Sequence, residues 1–426
     1  MGTELIEGLT LDFNHSTKVT ALQAHVHAFM DNHIVPRIAE WRDDVSRGVF
    51  PVSFIDELKG RARAEGLWNL FLPGLHPDEP GTALTNLEYA PLAEIMGRVP
   101  WASEVFNCSA PDTGNMELLH LFGSAAQKHA WLEPLLDGRI RSAFGMTEPD
   151  VASSDATNIQ TTIARTDGGY AINGRKWYIT NAAHPNCRVM IVMGKTDPAA
   201  DRHRQQSMVL VPMDTPGIEV VRNITVMHHH APHGHCEVLL RDVRVPLDHL
   251  FGAEGDGFAM AQARLGPGRV HHCMRCIGEA ELALELLLER ARDRTTFGRP
   301  LVEHGVVADW IAESRIEIEQ ARLLVLKTAW MIDKVGAEAA RVEIALIKAV
   351  VPGMLTRVAD RAMQTFGAMG TGPDTPLAEI WTGGRALRIA DGPDEVHRRT
   401  IAKLEVAASR KRRRASTAYL IPPRRS

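Results

Sequence analysis

The chain has 426 residues, 45% hydrophobic and 23% charged, which excludes a disordered polymer and exceeds one ordinary core, so two or three globular domains are expected. A formal net charge of −4 offers no whole-molecule attraction for nucleic acid, and no apolar run reaches membrane-span length. The acidic start MGTELIEGLTLDF lacks a signal or transit pattern, Ile6 breaks the myristoylation pattern, the final RRS is no peroxisomal address, and the scattered Cys108, Cys187, Cys236, Cys273 and Cys276 fit a reduced, cytoplasmic protein.

Residues 1–142 read as a helical domain. Val19, Leu22, Val26 and Met30 recur at helical spacing, and Pro51 opens a second helix with Phe54, Leu58 and Ala62 on one face. NLEYAPLAEIMGRV and GSAAQKHAWLEPLLDG add two more. Over 143–252 short β-rich runs take over. TTIART and YAINGRKWYITN flank DGG, a hairpin signal, and VMIVMGKT, SMVLVPMDTPGIEVV and CEVLLRDVRVPLDHLFG follow. Such strands, with Gly and Pro turns, predict a small barrel or sandwich. Long helical patterns return over 253–409. GEAELALELLLERARDR carries Ala280, Ala283, Leu284, Leu287, Leu288 and Ala291 on one stripe. Ile311, Ile318, Val325 and Ile332 mark a second helix, and Ile344, Ile347, Val351, Leu355 and Val358 a third, which Pro352 is expected to kink. A last helix from near Glu395 completes a four-helix bundle. The basic tail over 410–426 reads as a flexible, solvated end.

Five stretches hold residues suited to ligands or chemistry. FGMTEPDVASSD, residues 144–155, offers the hydroxyls of Thr147, Ser153 and Ser154 and many backbone N–H groups, as would suit a polar, planar or phosphorylated ligand or an ordinary connection. In GRKWYITNAAHP, strand alternation sets Trp177 and Ile179 on one face and Tyr178 and Thr180 on the other, a slot for a planar ring or simply a sheet core. RDRTTFGRPLVEH gathers Arg292, Arg294 and Arg299 around Phe297, a grouping suited to pyrophosphate and adenine. QTFGAMGTGPDTPL has glycines that permit close backbone approach. RIADGPDEVHRR holds Asp391, Asp394 and Glu395 about a Gly-Pro turn, which alone reads as a capped turn. Cys273 and Cys276 have CxxC spacing without a second pair and read as buried thiols. His233 and His235 lie in a histidine-rich run with no zinc-site set around them, so no metal is expected.

Taken together, MTEPDVASSDATN, GRKWYITN, RTTFGRPL, QTFGAMG and ADGPDEVH resemble the acyl-CoA dehydrogenase family over nearly the whole chain, and look most like the branch of family members ten and eleven. The resemblance implies a mainly α fold with a central β domain: an N-terminal helical domain, a middle β-barrel or sandwich, and a C-terminal four-helix bundle. It implies FAD, and oxidation of an acyl-CoA to the trans-2-enoyl-CoA, with Asp391 abstracting the α-proton and flavin N5 accepting the β-hydride. By the same resemblance Phe144, Met146, Thr147, Ser153, Tyr178, Ile179 and Thr180 line the flavin, as do Pro393, Asp394 and Glu395. Arg294, Phe297, His304, Gln364, Phe366, Gly367 and Ala368 match the pyrophosphate and adenosine site, which in the family is completed across a subunit interface. Ser154, Gly266, Arg269 and Gly392 match substrate positions. Implied partners are an acyl-CoA, an electron-transfer flavoprotein and further copies in a homodimer or homotetramer, with no membrane. Three departures stand out: Gly305 follows His304 where many relatives have Gln, Gly266 replaces an acid, and the base is Asp rather than Glu. The Asp is shorter by one C–C bond, about 1.5 Å. Burial is expected to raise its pKa and strengthen it as a base. Two other readings are a flavin oxidase of the same fold and a binding relative whose basic tail holds nucleic acid.

Overall fold

The computed structural model describes residues 14–411 except His230 and Pro232; the basic tail from 412 onward lies outside the described residues. The N-terminal layer comprises α1 (Thr17–Phe29), α2 (Ile38–Ser46), α3 (Ile55–Ala64), α4 (Asn86–Gly97), α5 (Ala102–Val105), α6 (Asp112–Phe122), α7 (Ala125–Gln127) and α8 (Glu133–Leu136). Side chains start these helices where the first N–H groups lack partners. The Ser16 hydroxyl accepts from Val19 N–H, and capping boxes join Thr85 to Glu88 and Ser124 to Gln127. The second predicted helix begins only at Ile55, after the Pro51 turn, with Phe54, Leu58 and Ala62 buried as the pattern required.

Eight strands follow: β1 (Arg141–Gly145), β2 (Thr162–Thr166), β3 (Gly169–Thr180), β4 (Cys187–Lys195), β5 (Gln206–Pro212), β6 (Ile218–Asn223), β7 (His235–Pro246) and β8 (Leu250–Phe251). They form one sheet in the order β6-β7-β3-β2-β4-β5-β8, and β1 pairs in parallel with β4. The predicted hairpin is β2–β3, with Thr166 opposite Gly169. Even alternation does not survive over 177–180. The register against β7 shifts between Lys176 and Ile179, and Tyr178 has φ +53°. This bulge leaves Trp177 half-buried, Tyr178 45% exposed and Ile179 buried.

The C-terminal part holds α9 (Gly257–Asp293), the short hairpin β9 (Thr295–Thr296) and β10 (Arg299–Pro300), then α10 (Gly305–Ala339), α11 (Arg341–Phe366), α12 (Leu377–Leu387) and α13 (Asp394–Ser409). Helix α9 begins well before its apolar stripe and runs through Gly266, Pro267 and Gly268. Helix α11 continues through Pro352 as one element; the departure from helical geometry in this region is at Gly336 of α10, φ +81°. Helix α12 was not expected from the sequence. One apolar core joins the N- and C-terminal helices, and a second lies within the sheet. No described helix is long and apolar enough to cross a membrane.

Candidate active site

The turn between α12 and α13 presents Asp391. Its backbone is left-handed, φ +55°, and so is that of Gly392, φ +104°. A Cβ at Gly392 would stand 3.1 Å from His397 Nε2, so both conformation and contact select glycine. The turn is closed at its base by Asp394, whose N–H donates to the Arg388 carbonyl at 3.1 Å and whose carboxylate accepts from Arg388 Nε at 2.8 Å. Basic side chains then grip its carbonyls one after another. Lys348 Nζ, almost wholly buried, donates to Leu387 O and, at 2.9 Å, to Ala390 O. Arg269 Nε donates to Asp391 O at 2.9 Å, and His397 Nε2 to Gly392 O at 3.1 Å. The Asp391 carboxylate itself is 24% exposed, with Oδ2 3.6 Å from His272 Nε2.

Burial pushes the Asp391 carboxyl upward, but the positive field of its neighbours outweighs this and leaves it below the ordinary aspartate value. The rise expected from burial alone is therefore reversed, by His272 first and then by Arg264, Lys348 and Arg269. Burial and then Arg275 push the His272 imidazole down to about 3, so near neutral pH it faces Asp391 as an uncharged ring. Near neutral pH the site thus holds an ionised Asp391 beside a neutral His272.

Strand β1 delivers Phe144, and the Arg264 guanidinium lies 4.0 Å from its ring centre. Arg264 Nε also donates to Asn115 Oδ1 at 3.0 Å. Beyond β1 the loop is held from below by a buried ion pair. Lys176 Nζ donates to Glu148 Oε1 at 2.8 Å, Met146 O at 3.0 Å and Met193 O at 2.7 Å. Glu148 also accepts from the Gln160 and Thr161 N–H groups at 2.7 and 2.9 Å. The Ser153 hydroxyl is occupied within the loop, accepting from Glu148 N–H at 2.9 Å, whereas Thr147 and Ser154 are exposed. Trp177 N–H donates to Thr147 O at 3.0 Å and ties the β3 bulge to this loop. Thr180 Oγ1 pairs with His235 Nδ1 at 3.0 Å. Ile179 is buried in the sheet core, which leaves its backbone as the part able to meet a ligand.

A second group gathers where α9, α10 and α11 end or begin. Phe297 is 95% exposed, and His304 Nε2 donates to Thr296 O at 3.3 Å. Arg290 lies 5.2 Å from the Phe366 ring centre. Arg294, Gln364, Gly367 and Ala368 are exposed. Among the described residues, no hydrogen bond, ion pair or ring contact joins this group to the Asp391 turn within one chain. Gly266 is not brought to that turn either. It sits two residues after Arg264, about 200° round the helix, and a Cβ there would face Ala337 at 3.3 Å.

Sequence reasoning missed Arg264, His272, Arg275, Lys348 and His397. One signal was available: Arg264, Gly268, His272 and Arg275 fall at i, i+4, i+8 and i+11 on one helical stripe. The five cysteines are free and buried, Cys273 and Cys276 among them as read, and His233 packs edge-on to His235 with ring centres 5.4 Å apart. Among the described residues no group of three or more His, Cys, Asp or Glu side chains is placed to hold a metal.

Comparison with known proteins matches residues 16–139, 143–243 and 255–405 to the N-terminal, middle and C-terminal domains of acyl-CoA dehydrogenases. FadE2 of Mycobacterium tuberculosis, named a probable acyl-CoA dehydrogenase, is 54% identical over 403 residues, or 93% of this chain and 97% of that protein. Mouse acyl-CoA dehydrogenase family member 10 is 56% identical over 84% of this chain, and human family member 11 is 48% identical over 91%. The chain spans only 34% and 50% of the lengths of those two proteins. Among solved structures, a relative from Mycobacterium abscessus is similar at TM-score 0.90 and 50% identity, covering 93% of this chain and 100% of that one. Butyryl-CoA dehydrogenase of Megasphaera elsdenii is similar at TM-score 0.80 and 26% identity, with the same coverages.

Proposed function

The chain belongs to the acyl-CoA dehydrogenase family of flavin-dependent oxidoreductases, with FAD as cofactor, and on that premise we propose that it oxidises an acyl-CoA to the trans-2-enoyl-CoA with Asp391 as the base. The observation that carries this reading is the Asp391 turn: a carboxylate held ionised, partly open, on a backbone gripped by Lys348, Arg269 and His397.

The residues present fit FAD. At one end the exposed Arg294 and Phe297 offer a cation and an unfilled aromatic face, and Gly298 and Gly367 have open space where a side chain would project. That set suits an adenosine pyrophosphate. At the other, Phe144, Thr147 and the outward Tyr178 lie on or beside the loop held by Lys176. FAD, when bound, supplies the two-electron acceptor for the β-hydride.

An α-C–H beside a thioester is a weak acid, so its base must be ionised, close and dry. Fixed positive charge keeps Asp391 ionised before substrate arrives. A seated acyl-CoA displaces water from the exposed quarter of the carboxylate, raises its basicity, and directs the α-proton to it. The rigid turn replaces the reach that a longer glutamate would provide. Electron-transfer flavoprotein is the proposed electron acceptor and β-oxidation in the cytoplasm the proposed setting. A homodimer or homotetramer is the proposed assembly, because the Arg294–Phe297 group stands apart from Asp391 within one chain.

Anaerobic mixing of FAD-loaded protein with acyl-CoAs from short to very long tests the reading. Bleaching of the flavin is expected with some of them, and Asp391→Asn should slow it at least about 10²-fold while FAD stays bound. Bleaching at the wild-type rate in that variant rejects the base. Rapid reoxidation of the reduced protein by air would turn the reading to an oxidase.

A further inference from the structure

We propose that His272, locked in one tautomer by Arg275, is a positioning residue that orients the Asp391 carboxylate. The proposal rests on the reading of Asp391 as the base.

Arg275 NH2 lies 3.1 Å from His272 Nδ1. A guanidinium can only donate, so Nδ1 is the acceptor and the neutral ring carries its proton on Nε2. That nitrogen stands 3.6 Å from Asp391 Oδ2. The separation is long for a hydrogen bond, as catalytic bonds commonly are before substrate seats. Arg275 is itself held: its NH1 donates to Cys108 O at 3.4 Å, and its backbone packs against Gly97. The neighbouring His271 provides a contrast, being fully buried between the rings of Tyr89 and Phe71 with no polar partner. One histidine fills the core, and the next points a single donor at a single carboxylate oxygen. On this proposal the seated substrate draws the donor onto Oδ2, and Oδ1 is left for the α-proton.

The arrangement explains the shorter base. The left-handed backbone at Asp391 suits aspartate better than glutamate, and an added methylene would change the 3.6 Å spacing to the imidazole. The other charged or titratable groups facing Asp391 are Arg264, Arg269 and Cys273 from α9, Lys348 from α11 and His397 from α13. All remain when His272 is changed, so its donor can be tested separately.

The test uses the full-length, FAD-loaded protein with His272→Ala, His272→Gln, Arg275→Met, Asp391→Glu and the double variant Asp391→Glu/His272→Ala. FAD content and thermal unfolding verify that each is folded. His272→Ala should lower kcat about 10²-fold with a smaller change in KM. The acid limb of its kcat/KM profile should move to higher pH, because a lost donor disfavours the ionised carboxylate. His272→Gln, which retains a donor, should keep the limb near its wild-type position, and Arg275→Met should shift it as His272→Ala does. The double variant should recover at least about tenfold over Asp391→Glu alone, as coupled neighbours do. Solvent-deuterium exchange at the α-carbon of a bound acyl-CoA analogue that cannot lose a β-hydride gives a readout without electron transfer, and it should slow in parallel. An unmoved limb and unchanged exchange in His272→Ala, beside an inactive Asp391→Asn, overturn this proposal alone. Exchange that survives in Asp391→Asn overturns the base assignment and this proposal with it.

Discussion

Lys176 and Glu148 show what single residues must supply for the site loop to hold its shape. Both side chains are buried, and their charges meet at 2.8 Å. Burial pushes Glu148 up, but Lys176 and the bonds from Thr161 and Gln160 bring it below the usual glutamate value. Burial also pushes Lys176 down, to about 8, so it is still charged near neutral pH and needs its carboxylate. Glu148→Gln should therefore cost about 3–5 kcal/mol, as removal of one buried partner does, measured by denaturant unfolding. Adding Lys176→Met should return part of that loss, since the orphaned charge goes with it. Because the folded pKa of Glu148 is depressed, its contribution is whole above the unfolded value near 4.5 and is lost as pH falls through the folded one. The wild type should thus lose more stability below that pH than Glu148→Gln does. None of this was visible in the sequence, where Lys176 sits in GRKWYITN as one more strand residue. Asp391 was legible for the opposite reason: its order with Gly392, Pro393, Asp394 and Glu395 is local. His272 meets Asp391 across 119 positions of chain, and only the fold brings them together.

Among the elements, the crossing of α4 and α9 places the stripe that carries His272 and Arg275. A Cβ at Gly97 would stand 2.2 Å from Arg275 O, and one at Gly278 would stand 1.8 Å from Glu94 O. Each helix thus offers a glycine to the other's backbone, and the axes approach closer than any side chain allows. Gly278→Ala must separate the helices. We expect a loss of about 1–3 kcal/mol from overpacking and a fall in kcat, because Arg275 moves with its backbone. Unfolding and turnover measured on the same FAD-loaded sample check this; lost stability with unchanged turnover would mean that the crossing does not place Arg275. The apolar stripe from Ala280 to Ala291 was readable, but the first part of α9 was not. Gly266, Pro267 and Gly268 are poor helix formers, and here packing on both sides overrides their propensity. The β3 bulge was hidden for a similar reason, since alternation assumes an unbroken register and Tyr178 breaks it. Helix α12 follows a Gly- and Pro-rich run whose composition signals a loop, not the start of a helix.

At the scale of the whole molecule, the order helix, sheet, bundle was written in the change of hydrophobic period along the chain. How the parts lock together was not, because it depends on both faces of two strands. In β4, Val189, Ile191 and Met193 join the core of the helices, while Met190 and Val192 join the core of the sheet; β5 divides likewise, Met208 and Leu210 against Val209 and Val211. VMIVM reads as an undivided apolar run because each face has its own layer to fill. Polar bonds reinforce the same junction. Glu104 of α5 meets Lys59 of α3 at 2.9 Å and Arg141 of β1 at 3.3 Å, and Arg141 reaches Asp112 of α6 at 2.8 Å. Burial pushes Glu104 up, but Arg141 and Lys59 outweigh it and hold the carboxyl well below the usual range. Its contribution is therefore complete above the unfolded value near 4.5 and lost as pH falls through the folded one. Replacing Glu104 by Gln leaves two buried or half-buried cations short of a partner and should cost about 3 kcal/mol. With strands shared between the cores, that loss should lower one calorimetric transition without dividing it. Two separated transitions, the helices melting before the sheet, would show that the shared strands do not couple the layers.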